Sequence, residues 1–348
     1  MVKFVQNLAP CMDGFILPNN ERLKRLYVMS VYTVVEEPQL IEFLKDYNVG
    51  TLESYEGISA GIENTNYFVT TQLEGKTHRF VLTIFEHHTF EELPYFLNIM
   101  AFMADHKVPT AHPIATLSND YLKVLCGKPA SLVEHLNGAG VENPSVIQSG
   151  VMGEQLARFH KAGADFDQVR ANNRDLAWMQ ATFLMLKDRL PEDERTLIAD
   201  ELAFQANTDW AHLPQGVIHA DLFCDNALFN GNELSGIIDL YYACNAPLLY
   251  DLAVMVNDWC RVHADQPETI EFDATKIRAM VSEYQRHRPL STEEQMAWPS
   301  ALRLAALRFL LSRLKDKLFP REGEMTQIKD PNVFKRVLSI HRTAVAPL

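Results

Sequence analysis

Residues His219-Ala-Asp221-Leu-Phe-Cys-Asp-Asn226 form an H-x-D-L-x-x-x-N pattern between two short apolar runs, Val217-Ile218 and Leu228-Phe229. Downstream, Asp239 ends a further apolar stretch over residues 234–238. A chain that carries this pattern needs a loop presenting Asp221 and Asn226 together. It also needs a strand that brings a second carboxylate back to the same point. Phosphoryl transfer from a nucleotide uses such groups: one carboxylate to take the proton of an attacking hydroxyl, and an amide and a second carboxylate to hold magnesium on the phosphates. H-x-D alone recurs by chance, whereas the whole pattern with its apolar flanks is far rarer. It implies a kinase for a small molecule, with ATP and Mg²⁺ as cofactors.

Composition narrows the partners. The 348 residues include 32 basic and 45 acidic side chains, a net charge of −13. That balance opposes nucleic acid, whose binding relies on clustered Lys and Arg, and an anionic membrane surface. It tolerates a small substrate that carries positive charge. The five cysteines are scattered and odd in number, with no C-x-x-C pair, as expected of reduced thiols in a cytoplasmic protein. No run of about 18 apolar residues suggests a membrane span. The N-terminus has no basic region leading into a long apolar core, so no secretory signal is expected.

Periodicity separates two halves. Residues 52–58, 67–71, 79–85, 121–125 and 130–136 are strand-like, and Glu74-Gly75-Lys76 and Cys126-Gly127-Lys128-Pro129 read as turns. Helical spacing appears at 38–47 and 90–106. After Asn137-Gly138 the helical segments dominate, at 146–161, 176–190, 191–207, 249–262, 274–287 and 292–317. The fold class is therefore α+β: a small antiparallel-sheet lobe over 29–137 and a larger, mainly helical lobe over 138–348. Met29 reads as a fresh beginning, which makes residues 1–28 an upstream extension or a docked arm.

The arrangement resembles the protein-kinase-like fold in the branch of aminoglycoside phosphotransferases and choline kinases, and within it the type II homoserine kinases. Beside the central motif, the resemblance rests on Met29-Ser-Val-Tyr-Thr33, Gly61-Ile-Glu-Asn-Thr-Asn-Tyr-Phe-Val69, Val81-Leu-Thr-Ile-Phe-Glu86, Gly127-Lys-Pro-Ala130, Asp239-Leu-Tyr-Tyr-Ala-Cys-Asn245, Leu249-Tyr-Asp-Leu-Ala253 and Asn257-Asp-Trp-Cys260. It implies ATP-dependent phosphorylation of the L-homoserine hydroxyl, with Asp221 as catalytic base in contact with the acceptor. Asn226 and Asp239 are then the magnesium ligands. His219 packs under the loop and bonds its backbone, and Asp251 ties the loop down. The adenine site is expected at the hinge, on the backbone of Glu134 and Leu136.

Phosphate handling departs from the kinase pattern. The candidate cradle of backbone amides at Ser59, Ala60, Gly61 and Ile62 has few glycines, and a plain hairpin turn fits equally well. Thr83 stands where the Val-Ala-Ile-Lys strand of protein kinases carries a phosphate-binding lysine, a lysine that the homoserine branch tends to lack. Pairing by Glu91 or Glu92 stays open. Tyr241, Tyr242 and Asn245 follow Asp239 and border the acceptor, or else belong to the core. The pair His87-His88 reads as exposed, and His160 as a satisfied core histidine.

Overall fold

The computed structural model describes residues 33–58, 64–262, 266–320, 329–344 and 346–348. The expected extension over 1–28 and the candidate cradle at Ser59, Ala60, Gly61 and Ile62 lie outside the described residues.

Helix α1 (Glu37–Leu44) starts at a capping box between Glu36 and Gln39, with Pro38 in its first turn, and buries Leu40, Phe43 and Leu44. Those side chains lie against a five-stranded antiparallel sheet of order β1-β2-β3-β5-β4: β1 (Thr51–Gly57), β2 (Thr65–Leu73), β3 (Lys76–Ile84), β4 (Lys123–Leu125) and β5 (Lys128–Glu134). Alternation drives the sheet, since Thr65, Tyr67, Val69 and Thr71 of β2 point inward and the residues between them outward. Glu74 and Gly75 both have positive φ, 52° and 75°, so β2 and β3 join through a turn whose twist suits a hairpin.

Helix α2 (Leu93–Asp105) follows the sheet strands in sequence but not in packing. Its Leu93, Phe96, Leu97, Ile99, Met100 and Met103 enter the core of the helical half together with Phe85 and Val133. The small lobe's own core stops at α1 and the inner face of the sheet. The division between the two cores therefore runs beneath α2.

The helical half contains α3 (Val146–Gly163), α4 (Leu176–Leu186), α5 (Glu192–Ala206), α6 (Leu248–Trp259), α7 (Ala274–His287), α8 (Thr292–Leu318) and α9 (Pro331–Thr343). Helices α3 and α7 touch closely at Gly153, where a Cβ would come within 2.1 Å of the Met280 carbonyl oxygen. Three pairs of short strands are set among the helices. They are β6 (Gln215–Ile218) with β9 (Cys244–Pro247), β7 (Ala227–Asn230) with β8 (Glu233–Ile237), and β10 (Arg261–Val262) with β11 (Glu271–Phe272). The first two pairs carry the motif.

Candidate active site

Strand β6 runs directly into the loop at His219, and α6 holds that loop along its length. Asp251, in the first turn of α6 and fully buried, accepts from the backbone N–H of His219 at 2.6 Å and of Ala220 at 2.7 Å. Two helical turns further on the same face, Asp258 accepts from the Cys224 N–H at 2.9 Å. Beside it, the Trp259 indole donates to the Leu222 carbonyl at 3.1 Å. Ala220 takes the left-handed conformation, φ 65°, which is costly for a residue with a Cβ. The paired bonds from Asp251 fix that turn, and with it the direction in which Asp221 leaves the backbone.

A chain of hydrogen-bond donors supports Asp251. Arg288 Nη1 lies 3.0 Å from the Tyr284 hydroxyl, which lies 2.8 Å from His160 Nδ1, and His160 Nε2 is 3.2 Å from Asp251. One proton assignment satisfies every member: Arg288 donates to Tyr284, Tyr284 to His160, and His160 to Asp251. Burial pushes the His160 pKa down, against the pull of Asp251, which suits a neutral ring. His219 is also buried and lowered by desolvation. Its Nε2 faces the Ile238 carbonyl at 3.0 Å and its Nδ1 the Asp221 N–H at 3.3 Å, so both ring nitrogens are engaged.

Strand pairing brings Asn226 and Asp239 together. Ala227 of β7 is opposite Ile237 of β8, and the Ile238 N–H donates to the Asn226 carbonyl at 3.0 Å. Asp239 follows in the left-handed region, φ 63°, and opens a short turn at Leu240–Tyr242. Asn226 Nδ2 donates to the Asp221 carbonyl at 2.8 Å and sits 3.4 Å from its Oδ2. On the other side, Arg308 Nη1 from α8 is 3.5 Å from Asp221 Oδ1. Cys224, within the same loop, is no nucleophile: burial and the neighbouring Asp258 push its thiol pKa up.

The remaining expected residues fall around this centre in different ways. Thr83 is buried, donates to Asn66 Oδ1 at 2.8 Å and bonds with the Tyr241 hydroxyl. Tyr241 packs among Phe85, Phe96 and His88, with ring centroids 5.1, 6.0 and 6.0 Å away, so much of its surface is core. Tyr242 lies between two guanidiniums, Arg308 at 5.3 Å and Arg174 at 6.0 Å from its ring centroid. Asn245 is joined to the segment that carries Arg170. Its Oδ1 accepts from the Arg170 N–H at 2.9 Å and its own N–H donates to the Arg170 carbonyl at 2.7 Å, which commits it to anchoring that segment. His88 is half-buried against aromatic rings, not exposed as expected, while His87 is exposed. Glu92 pairs with Arg170 at 3.2 Å, and Glu91 is exposed.

At the hinge, the Glu134 N–H is committed to the His112 carbonyl at 2.9 Å. Leu136 is half-buried and lies so near β8 that a Cβ on Gly236 would come within 2.3 Å of its Cδ1. A cavity of about 160 Å³ opens beside the turn at Leu240–Tyr242, with Glu92, Arg170, Arg174, Tyr241 and Tyr242 in its lining. Two residues of this neighbourhood, Arg174 and Arg308, were not anticipated from sequence. Arg308 had left a readable signal, a lone charge in the apolar run from Ala305 to Leu311.

Fold and site together define a phosphotransferase, and residues 54–290 match the model of the phosphotransferase enzyme family. The chain is 46% identical over 310 residues to a homoserine kinase of Methylobacillus flagellatus, covering 89% of this chain and 94% of that one. It is 42% identical over 310 residues to a homoserine kinase of Neisseria meningitidis, covering 89% and 99%. The chain belongs to the homoserine kinases within that family. Among solved structures, spectinomycin phosphotransferase in complex with ADP and spectinomycin is similar with a TM-score of 0.65 at 15% identity, over 89% of this chain and 99% of the other. Choline kinase from Cryptosporidium parvum gives 0.62 at 13%, over 88% and 94%. These likenesses show the two-lobed kinase-like fold. No helix among the described residues is long and apolar enough to cross a membrane.

Proposed function

We propose that the protein transfers the γ-phosphoryl group of ATP to the hydroxyl of L-homoserine, giving O-phospho-L-homoserine for threonine synthesis in the cytoplasm. The observation that carries the chemistry is the bonding of Asn226 to Asp221, with Asp239 following directly on the Ile238 N–H that bonds the Asn226 carbonyl. Identity of 39–46% to homoserine kinases over about nine-tenths of the chain supports the choice of acceptor.

In this reading Asp221 receives the homoserine hydroxyl as a hydrogen-bond donor, aims its oxygen at the γ-phosphorus and takes its proton late in the transfer. A phosphorus–oxygen bond forms to the hydroxyl oxygen while the bond to the β–γ bridging oxygen breaks, and ADP leaves with that electron pair. Asn226 and Arg308 hold the carboxylate of Asp221 from two sides. Asn226 spends its Nδ2 on the Asp221 carbonyl, which leaves the amide oxygen as a ligand. With the Asp239 carboxylate it makes the all-oxygen donor set that a hard cation prefers. The Asn226 amide oxygen and the Asp239 carboxylate would hold Mg²⁺, which would supply charge neutralisation for the transferring phosphoryl group.

For the nucleotide, backbone groups at Leu136 read the purine edge, since the Glu134 N–H already donates to His112. Thr83 acts through Tyr241, whose hydroxyl it bonds. Residues 29–137 form the nucleotide lobe and residues 138–348 the catalytic and acceptor lobe.

Initial rates of ADP release on an acceptor panel test the proposal. L-Homoserine is expected to give kcat/KM at least about 100-fold above choline, methylthioribose and kanamycin, because a site built for an amino acid leaves polar groups unpaired around the others. Any of these three matching homoserine removes the acceptor assignment and leaves the phosphoryl transfer standing.

A further inference from the structure

We infer that Arg174 seats the α-carboxylate of the acceptor, so that the site selects hydroxylated amino acids over amino alcohols and sugars. The inference rests on the function proposed above and adds the group that decides among acceptors.

The cavity beside Tyr242 supplies the first argument. Its volume of about 160 Å³ lies well under the ~300 Å³ at which drug-sized pockets begin. It suits one end of a short amino acid and has no room for an aminoglycoside.

Charge supplies the second. Of the two arginines in its lining, Arg170 is spoken for: it pairs with Glu92 at 3.2 Å and lies 4.6 Å over the Phe96 ring. Arg174 has no carboxylate within 4.0 Å among the described residues. Its guanidinium lies over two aromatic faces instead, Trp178 at 4.9 Å and Tyr242 at 6.0 Å. Beside the Arg170–Glu92 pair, Arg174 is the one other arginine or carboxylate in the lining. A protein with 45 acidic side chains has carboxylates in plenty. One half-buried arginine without such a partner, its planar fork held on aromatic rings, presents the geometry that takes a carboxylate by two parallel hydrogen bonds.

The third argument is position. The ring of Tyr242 is shared: Arg308, whose Nη1 is 3.5 Å from Asp221 Oδ1, lies 5.3 Å from the ring centroid that Arg174 also approaches. The Tyr242 ring and the Arg308 guanidinium thus link Arg174 to Asp221, the group that receives the acceptor hydroxyl. An acceptor lying along that ring would set its hydroxyl toward Asp221 and its carboxylate toward Arg174. The segment is also fixed in place. Arg170 is tied to Asn245 by two backbone-level bonds, the Arg174 N–H donates to Asn172 Oδ1 at 2.8 Å, and Asp175 caps α4 by accepting from the Trp178 N–H at 2.9 Å.

The test pairs L-homoserine with 3-aminopropan-1-ol, which keeps the hydroxyl and the ammonium and lacks only the carboxylate. The wild-type protein is expected to prefer homoserine by about 100-fold or more in kcat/KM. Arg174→Gln should raise the KM for homoserine about 30-fold, the worth of a charge-assisted bond pair. The KM for ATP should move by less than about 2-fold and kcat/KM for aminopropanol by less than about 3-fold, so the preference collapses. Arg174→Lys should recover part of the loss, because a point charge replaces the fork. Equal losses on both acceptors, or an unchanged KM for homoserine in the variant, overturn the inference and leave the functional proposal intact. Absence of homoserine turnover by the wild-type protein overturns both.

Discussion

Within the loop from His219 to Asn226, the carboxylates of Asp251 and Asp258 bind backbone amides, His219 uses both ring nitrogens, and Asn226 reaches back to the Asp221 carbonyl. Across the Tyr242 ring, the cavity lining has a cation, Arg174, that lies over two aromatic faces and has no carboxylate within 4.0 Å among the described residues. The Tyr242 ring and the Arg308 guanidinium stand between the two regions. In the first, bonds inside the protein set the direction of each reacting group before any ligand arrives, which is what positioning chemistry requires. In the second, bonding capacity is held for a ligand, and recognition depends on that capacity being filled. Geometry for the reaction and choice of acceptor therefore reside in separable residues.

The largest expected effect tests the reacting side. Asp221→Asn should lower kcat by roughly 10³-fold or more with small changes in either KM, as loss of a positioned base does. Steady-state kinetics near the wild-type values would take Asp221 out of the reaction. Next comes the support beneath it. Asp251→Asn replaces a carboxylate that receives three donors with an amide that matches fewer. It should cost about 2–3 kcal/mol of stability, read from the urea midpoint, together with a fall in kcat. A destabilised variant with full kcat would mean that the Ala220 turn holds its shape without that carboxylate, and the comparison drawn above would fail.

The smallest effect concerns the buried imidazoles. Burial lowers the pKa of His160 and His219, and that of His341, which bonds Asn257 Oδ1 at 2.8 Å, to about 4. Each binds its proton more weakly folded than unfolded. Their stabilisation is therefore complete above the ordinary histidine value of 6.5 and is lost as pH falls from there toward the folded value. Between pH 7 and pH 5, His341 alone should cost about 2 kcal/mol. Thermal midpoints across that window check the sign, and His341→Gln should flatten the slope. Greater stability at pH 5 than at pH 7 would contradict the neutral imidazoles beneath the loop.

How much of this was legible in the sequence follows from range. The motif and the two hairpin turns were readable because each is decided by residues close together, as at Glu74-Gly75 with its two positive φ values. Helix α7 was readable at both ends, since Asp273 caps it and its apolar period is unbroken. Helix α9 was missed although Asp330-Pro331 offered a cap and a first-turn proline. Contacts made across the fold left no local mark. Nothing beside His88 announces the rings of Phe96 and Tyr241, and nothing beside Asn245 announces Arg170. Arg174 was hidden for a further reason. Its significance is the absence of a carboxylate in space, and pattern along a chain cannot display that.

Helix α2 has a mechanical consequence. Its six large apolar side chains are sealed into the helical half. Withdrawing them would cost on the order of 10 kcal/mol at about 1.5–3 kcal/mol per side chain. The helix therefore belongs mechanically to the helical half, although the chain enters it from the sheet and returns to the sheet after it. Any displacement of the sheet against that half has to be absorbed in residues 85–92 and 106–122, on either side of α2.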